Sequence, residues 1–172
     1  RYLAQKTIAK EDITELIDKL LARGVGTQEA LENMFEGVQG EAGSNDFTAI
    51  ECLIERIGTG LTSITITRVI NKQGLSTEDK ITLIELLFRR GVSPSALVPI
   101  NGKQLSYLHL LAPRPIEETL RIFRALRKHG VGNNENGVLS EKSKEELKKL
   151  VTESKADEAV KKEFIDAIEA GT

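Results

Sequence analysis

The chain has 172 residues, enough to bury a sizeable core without disulfides or metals, and a length that suits one domain or one short solenoid. Apolar residues make up 40% but aromatics only 4%, with no Trp, which favours layered Leu/Ile/Val/Ala helices over an all-β sandwich. A formal net charge of −2, with both signs interspersed, excludes a global field for DNA or anionic membrane, and no apolar run nears the roughly 20 residues a bilayer requires.

The segment from Arg1 to Lys6 has no apolar core like that of a signal peptide, and with no initiator Met the chain is expected to be part of a longer protein. Cys52 is the single cysteine and can form no internal disulfide, so an intracellular, cytoplasmic setting is expected. In chain order, Ile13, Leu16, Ile17, Leu20 and Leu21 make the first helical stripe. Thr27 reads as the N-cap of a helix through Ala30, Leu31, Met34 and Phe35, and Gly37 to Asn45 as a loop. Ile50, Leu53, Ile54 and Ile57 make a second stripe. Residues 61–73 are ambiguous: Ser63 to Thr67 alternates like a strand, yet the segment fits the first helix of a pair, and it is assigned as helix. Ser76 to Asp79 reads as a capping box with Asp in place of Glu, ahead of a stripe of Leu83, Ile84, Leu87 and Phe88. Pro113 and Pro115 precede a helix over 116–129 with Ile116, Leu120, Phe123 and Leu126 on its apolar face. Ser143 to Glu146 fits a capping box. Leu147, Leu150 and Val151, then Val160, Phe164, Ile165 and Ile168, predict two charged helices at the end.

The first four stripes each end in a glycine, Gly24, Gly58, Gly91 and Gly130, a residue that accepts the left-handed conformation closing a helix. Basic residues often precede it, where they offset the negative end of the helix dipole. Three endings are alike: Ala22-Arg23-Gly24-Val25, Arg89-Arg90-Gly91-Val92 and Lys128-His129-Gly130-Val131. The glycines stand 34, 33 and 39 residues apart; the first two intervals match the period of a helical-pair repeat, and the third exceeds it by six residues.

Gly102-Lys103-Gln104-Leu105-Ser106-Tyr107-Leu108-His109-Leu110-Leu111-Ala112 resembles the signature of the ankyrin repeat family, with Ser106 at its Thr, Tyr107 at its Pro and Leu108-His109-Leu110 matching directly. Leu86 to Val92 resembles the end of that family's second helix. Asn101-Gly102 and Asn136-Gly137 stand where the family has its hairpin-tip dipeptide. The resemblance spans about residues 80–137; before that only the period carries it, the Leu-His-Leu is absent, and the helix-starting proline is replaced at Tyr107. It implies an all-α solenoid of stacked antiparallel helix pairs. Repeats would run roughly over 1–25, 26–59, 60–92 and 93–131, with a charged helical cap over 132–172. A generic helical-hairpin solenoid is the nearest competitor.

Each chemically suggestive residue has a plainer reading. His109 lies in the family match, where the resemblance implies a structural histidine that hydrogen-bonds loop backbone between repeats, and no motif supplies a partner for base catalysis. His129 sits at a helix end as a dipole partner. Two histidines and one cysteine make a poor zinc set, and a calcium loop placed on Asn134 to Gly137 lacks both end carboxylates. Gly37 to Gly43 has no Gly-Lys-Ser/Thr ending, and no Gly-x-Ser-x-Gly elbow occurs. No catalytic residue, metal or cofactor is expected, and the chain reads as a non-enzyme that binds another protein.

Contacts are expected at the tips, Asn101, Lys103, Gln104, Asn134 and Asn136. Tyr107 is a candidate aromatic anchor whose alternative is burial between repeats. Arg114, Arg121, Arg124, Arg127 and Lys128 form a basic face, of which Arg121, Arg124 and Lys128 share one side of a helix. An acidic protein partner suits it best, and nucleic acid is not expected because no aromatics interleave. The alternatives are a helical regulatory domain of a larger enzyme and an anionic-lipid binder using the 114–128 face. Divergent modules of this kind also occur in secreted effectors of intracellular bacteria, which would place the chain in a host cytosol.

Overall fold

The computed structural model describes residues 8–36, 44–57 and 60–170. Among these the protein is mostly helical, with nine helices and one two-stranded ribbon, and the chain divides into two compact units, Arg1–Gly91 and Val92–Thr172. No helix among the described residues is long and apolar enough to cross a membrane.

The first unit holds α1 (Lys10–Ala22), α2 (Thr27–Glu36), α3 (Ser44–Arg56), α4 (Ser63–Asn71) and α5 (Thr77–Arg89). α2 packs on α3 and α4 on α5, while α1, α3 and α5 pack in succession. The core between them is aliphatic, with Ile50, Ile54, Ile66, Leu83 and Leu87 fully buried. Ion pairs tie α1 to α3 at the rim, Lys10 to Glu51 at 2.6 Å and Arg56 to Asp18 at 2.7 Å. Lys80 of α5 is buried, and its ammonium donates to the Ile70 carbonyl at 3.0 Å, meeting the negative end of α4. The ambiguous 61–73 segment is therefore helical over α4. Its β-branched residues are tolerated because Ile66, Val69 and Ile70 are buried against neighbours. The Thr65 hydroxyl accepts from the Thr62 amide and helps satisfy the start of that helix.

The second unit holds the strands β1 (Val98–Ile100) and β2 (Lys103–Leu105), then α6 (Leu108–Leu111), α7 (Glu117–Lys128), α8 (Glu141–Glu153) and α9 (Glu158–Ala170). β1 and β2 are antiparallel, with Val98 opposite Leu105 and Ile100 opposite Lys103. α6 packs on α7 and α8 on α9. First helix also meets first helix, α6 on α8, and second meets second, α7 on α9. Phe123 of α7 and Phe164 of α9, both fully buried, meet edge to face with ring centroids 5.0 Å apart.

The three similar endings fold alike. The capping residues Arg23, Arg90 and His129 have φ from −85° to −89° and ψ from 4° to 6°, and each is followed by a glycine with φ between 80° and 97°. In α1 and α7 the closing bonds are those of a Schellman turn, Val25 N–H to Leu20 O at 3.3 Å and Val131 N–H to Leu126 O at 3.1 Å. Gly58 and the 37–43 part of the expected loop lie outside the described residues.

Three details differ from expectation. Leu16 and Leu20 are 57% and 41% exposed, so the buried edge of α1 is Ile13 and Ile17 at i, i+4. Ile116 precedes α7 as its N-cap and is exposed, while Ile122 is buried in the stripe it was expected to share. The cap of α8 is Ser140, whose hydroxyl accepts from the Ser143 amide at 3.2 Å, so the helix starts before the predicted box.

If α1 buries only its Ile13/Ile17 edge, Ile17→Ala removes core volume and costs about 2–5 kcal/mol, whereas Leu16→Ala stays within about 0.5 kcal/mol. Urea titration of the two variants, followed by far-UV circular dichroism, checks this. Equal losses would return Leu16 to the core.

Candidate functional site

The predicted contact residues all belong to the second unit, where they are positioned by two turns and by α7. The first turn is the two-residue loop between β1 and β2. Asn101 has φ 48° and Gly102 φ 76°, the positive pair a type I′ hairpin demands, and Asn is the non-glycine residue that best tolerates it. This projects Asn101, Lys103 and Gln104 into solvent. The second turn links α7 to α8, with Asn133 bridged to Leu139 and the Asn134 amide donating to the Val138 carbonyl at 2.8 Å. It is a wider closure than the two-residue hairpin expected at Asn136-Gly137. The Asn134 carboxamide oxygen accepts from the Asn136 amide at 2.9 Å and the Val138 amide at 3.3 Å, so that side chain builds the turn. Asn136 stays exposed at the tip.

Lys103 and Gln104 edge a bay of about 470 Å³ whose lining includes Leu97, Ser106, His109 and Glu146. His109 is only 7% exposed. Its Nδ1 lies 3.1 Å from the Ser106 hydroxyl and its Nε2 lies 3.5 Å from a Glu146 carboxylate oxygen, longer than an ordinary hydrogen bond. Burial holds the imidazole below its usual pKa, with the Glu146 charge opposing the shift. The serine stands one helical turn from the histidine, so their bond is local and braces the start of α6.

Tyr107 is fully buried, and its hydroxyl reaches the Ser93 carbonyl at 3.5 Å. It cannot serve as an exposed aromatic anchor. Its neighbours Leu108, Leu111 and Ala112 are buried too, so the ring belongs to the core that holds α6.

The basic face separates into groups with different surroundings. Arg127 is 4% exposed and donates from one nitrogen to the Val131 carbonyl and to the Asn133 side-chain oxygen, each at 2.6 Å. Burial lowers its pKa. Arg114 and Arg121 each interact with another group of the chain. Arg124 and Lys128 are exposed and edge a second bay of about 740 Å³ beside α9, lined also by Gly130, Ala167, Ala170 and Asp166. Asn133 borders both bays. The structure thus joins Lys103 and Gln104 to one bay and Arg124 to the other, and it leaves Asn101, Asn136, Arg114 and Arg121 outside the lining of both.

Asn133 and Asp166 were not singled out from sequence and carry no motif, and Glu146 was read only as the end of a capping box. Arg127 did carry a signal: it stands at i+4 and i+7 from the buried Phe123 and Leu120 and so belongs to the apolar edge of α7. In comparisons with protein-family models, with curated proteins and with solved structures, none matches this chain.

Because folding lowers the His109 pKa, the unfolded chain takes up the proton first. The resulting stabilisation is full above the ordinary value near 6.5 and is lost as pH falls through the lower folded-state value. The melting temperature should drop between pH 7.5 and 5.5, and His109→Gln should remove part of that drop. An NMR titration checks the cause directly: a His109 midpoint at or above 6.5 would contradict it.

Proposed function

We propose that the chain is an ankyrin-like repeat module, a stack of helix pairs that binds a partner protein and carries no reaction of its own. One observation carries the proposal. The second unit builds the same construction twice in succession, an Asn-Gly turn followed by two helices, with the tips 35 residues apart at Gly102 and Gly137. α6 then meets α8 and α7 meets α9, so each pair hides its apolar side against the next while the turns remain exposed. The first unit supports the reading with α2–α3 and α4–α5 as pairs and with the same glycine closure at α1 and α5. Tips freed from packing can vary without cost to the core, which suits them to recognition. Lys103 and Gln104, beside a bay that is part apolar and part polar, are the residues on which contact is expected to centre.

The test is site-specific photocrosslinking in the native cell. A benzoylphenylalanine at Gln104 should give a discrete adduct with one protein, and the same group at Lys155, in the exposed α8–α9 loop, should not. Lys103→Glu with Gln104→Ala should weaken binding of the identified partner at least tenfold while circular dichroism is unchanged. Equal crosslinking at both positions, or none at either, would overturn the proposal.

A further inference from the structure

The bay between α7 and α9 points to a second contact, and its charge pattern says what kind. On α8 and α9, Lys144, Lys148, Lys149 and Lys161 are matched by neighbouring glutamates, while Lys142 and Lys162 are not matched among the described residues. Lys144 pairs with Glu141 at 3.0 Å, Lys161 with Glu158 at 3.0 Å, and Lys148 lies between Glu145 and Glu169. Arg124 and Lys128, one turn apart on α7, have no ion pair or side-chain hydrogen bond among the described residues. Completion of the helix dipole explains one cation in the last turn of α7, and Arg127 and Lys128 already stand there. It does not explain why Arg124 and Lys128, one turn apart, edge the same hollow of about 740 Å³.

We propose that this bay docks an acidic segment of the partner protein. The inference rests on the protein-binding reading above and adds a second surface to it, on the second helices and away from the ribbon tip. Arg127 sets the bay's shape. Its guanidinium is held between the Val131 carbonyl and the Asn133 side chain, which fixes the turn at one edge and leaves a positive charge beneath it. Gly130, Ala167 and Ala170 line the bay with small side chains, so a chain segment can approach the helices closely. Residues at i and i+4 have Cβ atoms about 6 Å apart, a spacing that two carboxylates on one short segment can meet. Asp166 on the bay's border sets the class of ligand. It repels a compact dianion such as phosphate, while a peptide can turn an amide or a basic side chain toward it. A flat lipid surface would have to bring its headgroups into a hollow edged by that carboxylate. An acidic peptide meets all three groups.

The test places benzoylphenylalanine at Ala170, an exposed residue lining the bay, in the full chain and in the native cell, beside the Gln104 probe. The expected adduct maps to a segment of the partner holding at least two Asp or Glu residues. A synthetic peptide of that segment should then bind the purified chain, measured by fluorescence polarisation. Arg124→Glu with Lys128→Glu should weaken it at least tenfold, and raising the salt concentration should weaken it further. A charge-swapped peptide, with Lys for its acids, should recover binding to the doubly reversed chain; this readout separates docking from mere loss of fold. Lys149→Glu, on a lysine matched to Glu153, should have little effect. An adduct with a non-acidic segment, with lipid, with nucleic acid or within the chain itself overturns the inference. So does an unchanged affinity after charge reversal. Adducts from Gln104 with none from Ala170 refute this bay alone, whereas silence from both positions refutes the protein-binding reading with it.

Discussion

The helix endings constrain the rest of this structure. At Gly24, Gly91 and Gly130 the chain adopts a left-handed residue that an L side chain resists, and the helix stops within one residue of it. The closing bonds at α1 and α7 reach back across the last turn and bring the following valine onto the end of its own helix. Val131 is buried there, whereas Val25, closed by the same bond, is at the exposed margin. At α7 one local geometry therefore both terminates the helix and supplies the first buried apolar residue of the next segment. In the second unit the α6–α7 and α8–α9 pairs pack on each other, and each covers part of the other's apolar side. The burial of Phe123 against Phe164 is the aromatic part of that packing.

Much of this was legible because glycine is rare in helix interiors and its conformational role leaves few alternatives. The endings, the Asn101-Gly102 turn and the boundaries of α7 follow from residues whose backbone preferences are strong. What could not be read was which part of an apolar stripe faces a neighbour. Ile13, Leu16, Ile17, Leu20 and Leu21 all satisfy a helical period, but α1 packs on α3 through one edge only, and period alone does not say which. Two serines three residues apart, Ser140 and Ser143, both offer a cap. The choice falls to Ser140 because buried Leu139, bridged to Asn133 through its backbone, fixes where the chain enters α8. Tyr107 misleads for a related reason. A phenol at an interface and a phenol in a core look the same until the Ser93 carbonyl and the surrounding leucines are in place.

The basic run of α7 shows how one composition divides by position. Arg124 and Arg127 differ by three residues, less than one turn, yet one is exposed and the other 4% exposed. The helical angle decides it: Arg127 shares the edge of Leu120 and Phe123, and its long apolar stem can lie among them while its charged end finds a carbonyl and an amide oxygen. A buried guanidinium without such partners would cost several kcal/mol. Val131 and Asn133, which supply them, lie in the very turn that the glycine ending creates.

That dependence links the two bays. Asn133 borders both, its side-chain oxygen held by Arg127 on one side and its backbone bridged to Leu139 ahead of α8 on the other. The histidine bay and the cationic bay thus share one turn as a common wall, and the wall is held by a charge-assisted bond and a strand-like bridge, with no flexible side chain alone to carry it. A ligand that pulled Asn133 from Arg127 would leave a buried cation short of an acceptor, a strongly unfavourable state. Occupancy of either bay is therefore compatible with the other only if the turn keeps its shape. The Gly130 and Gly132 backbone, both at positive φ, is what holds that shape without side-chain interference. A β-carbon at Gly132 would stand 2.8 Å from the Leu108 side chain, so the turn sits against α6 with no space to spare. The same close approach that completes the core of the unit keeps its two exposed hollows in a fixed relation.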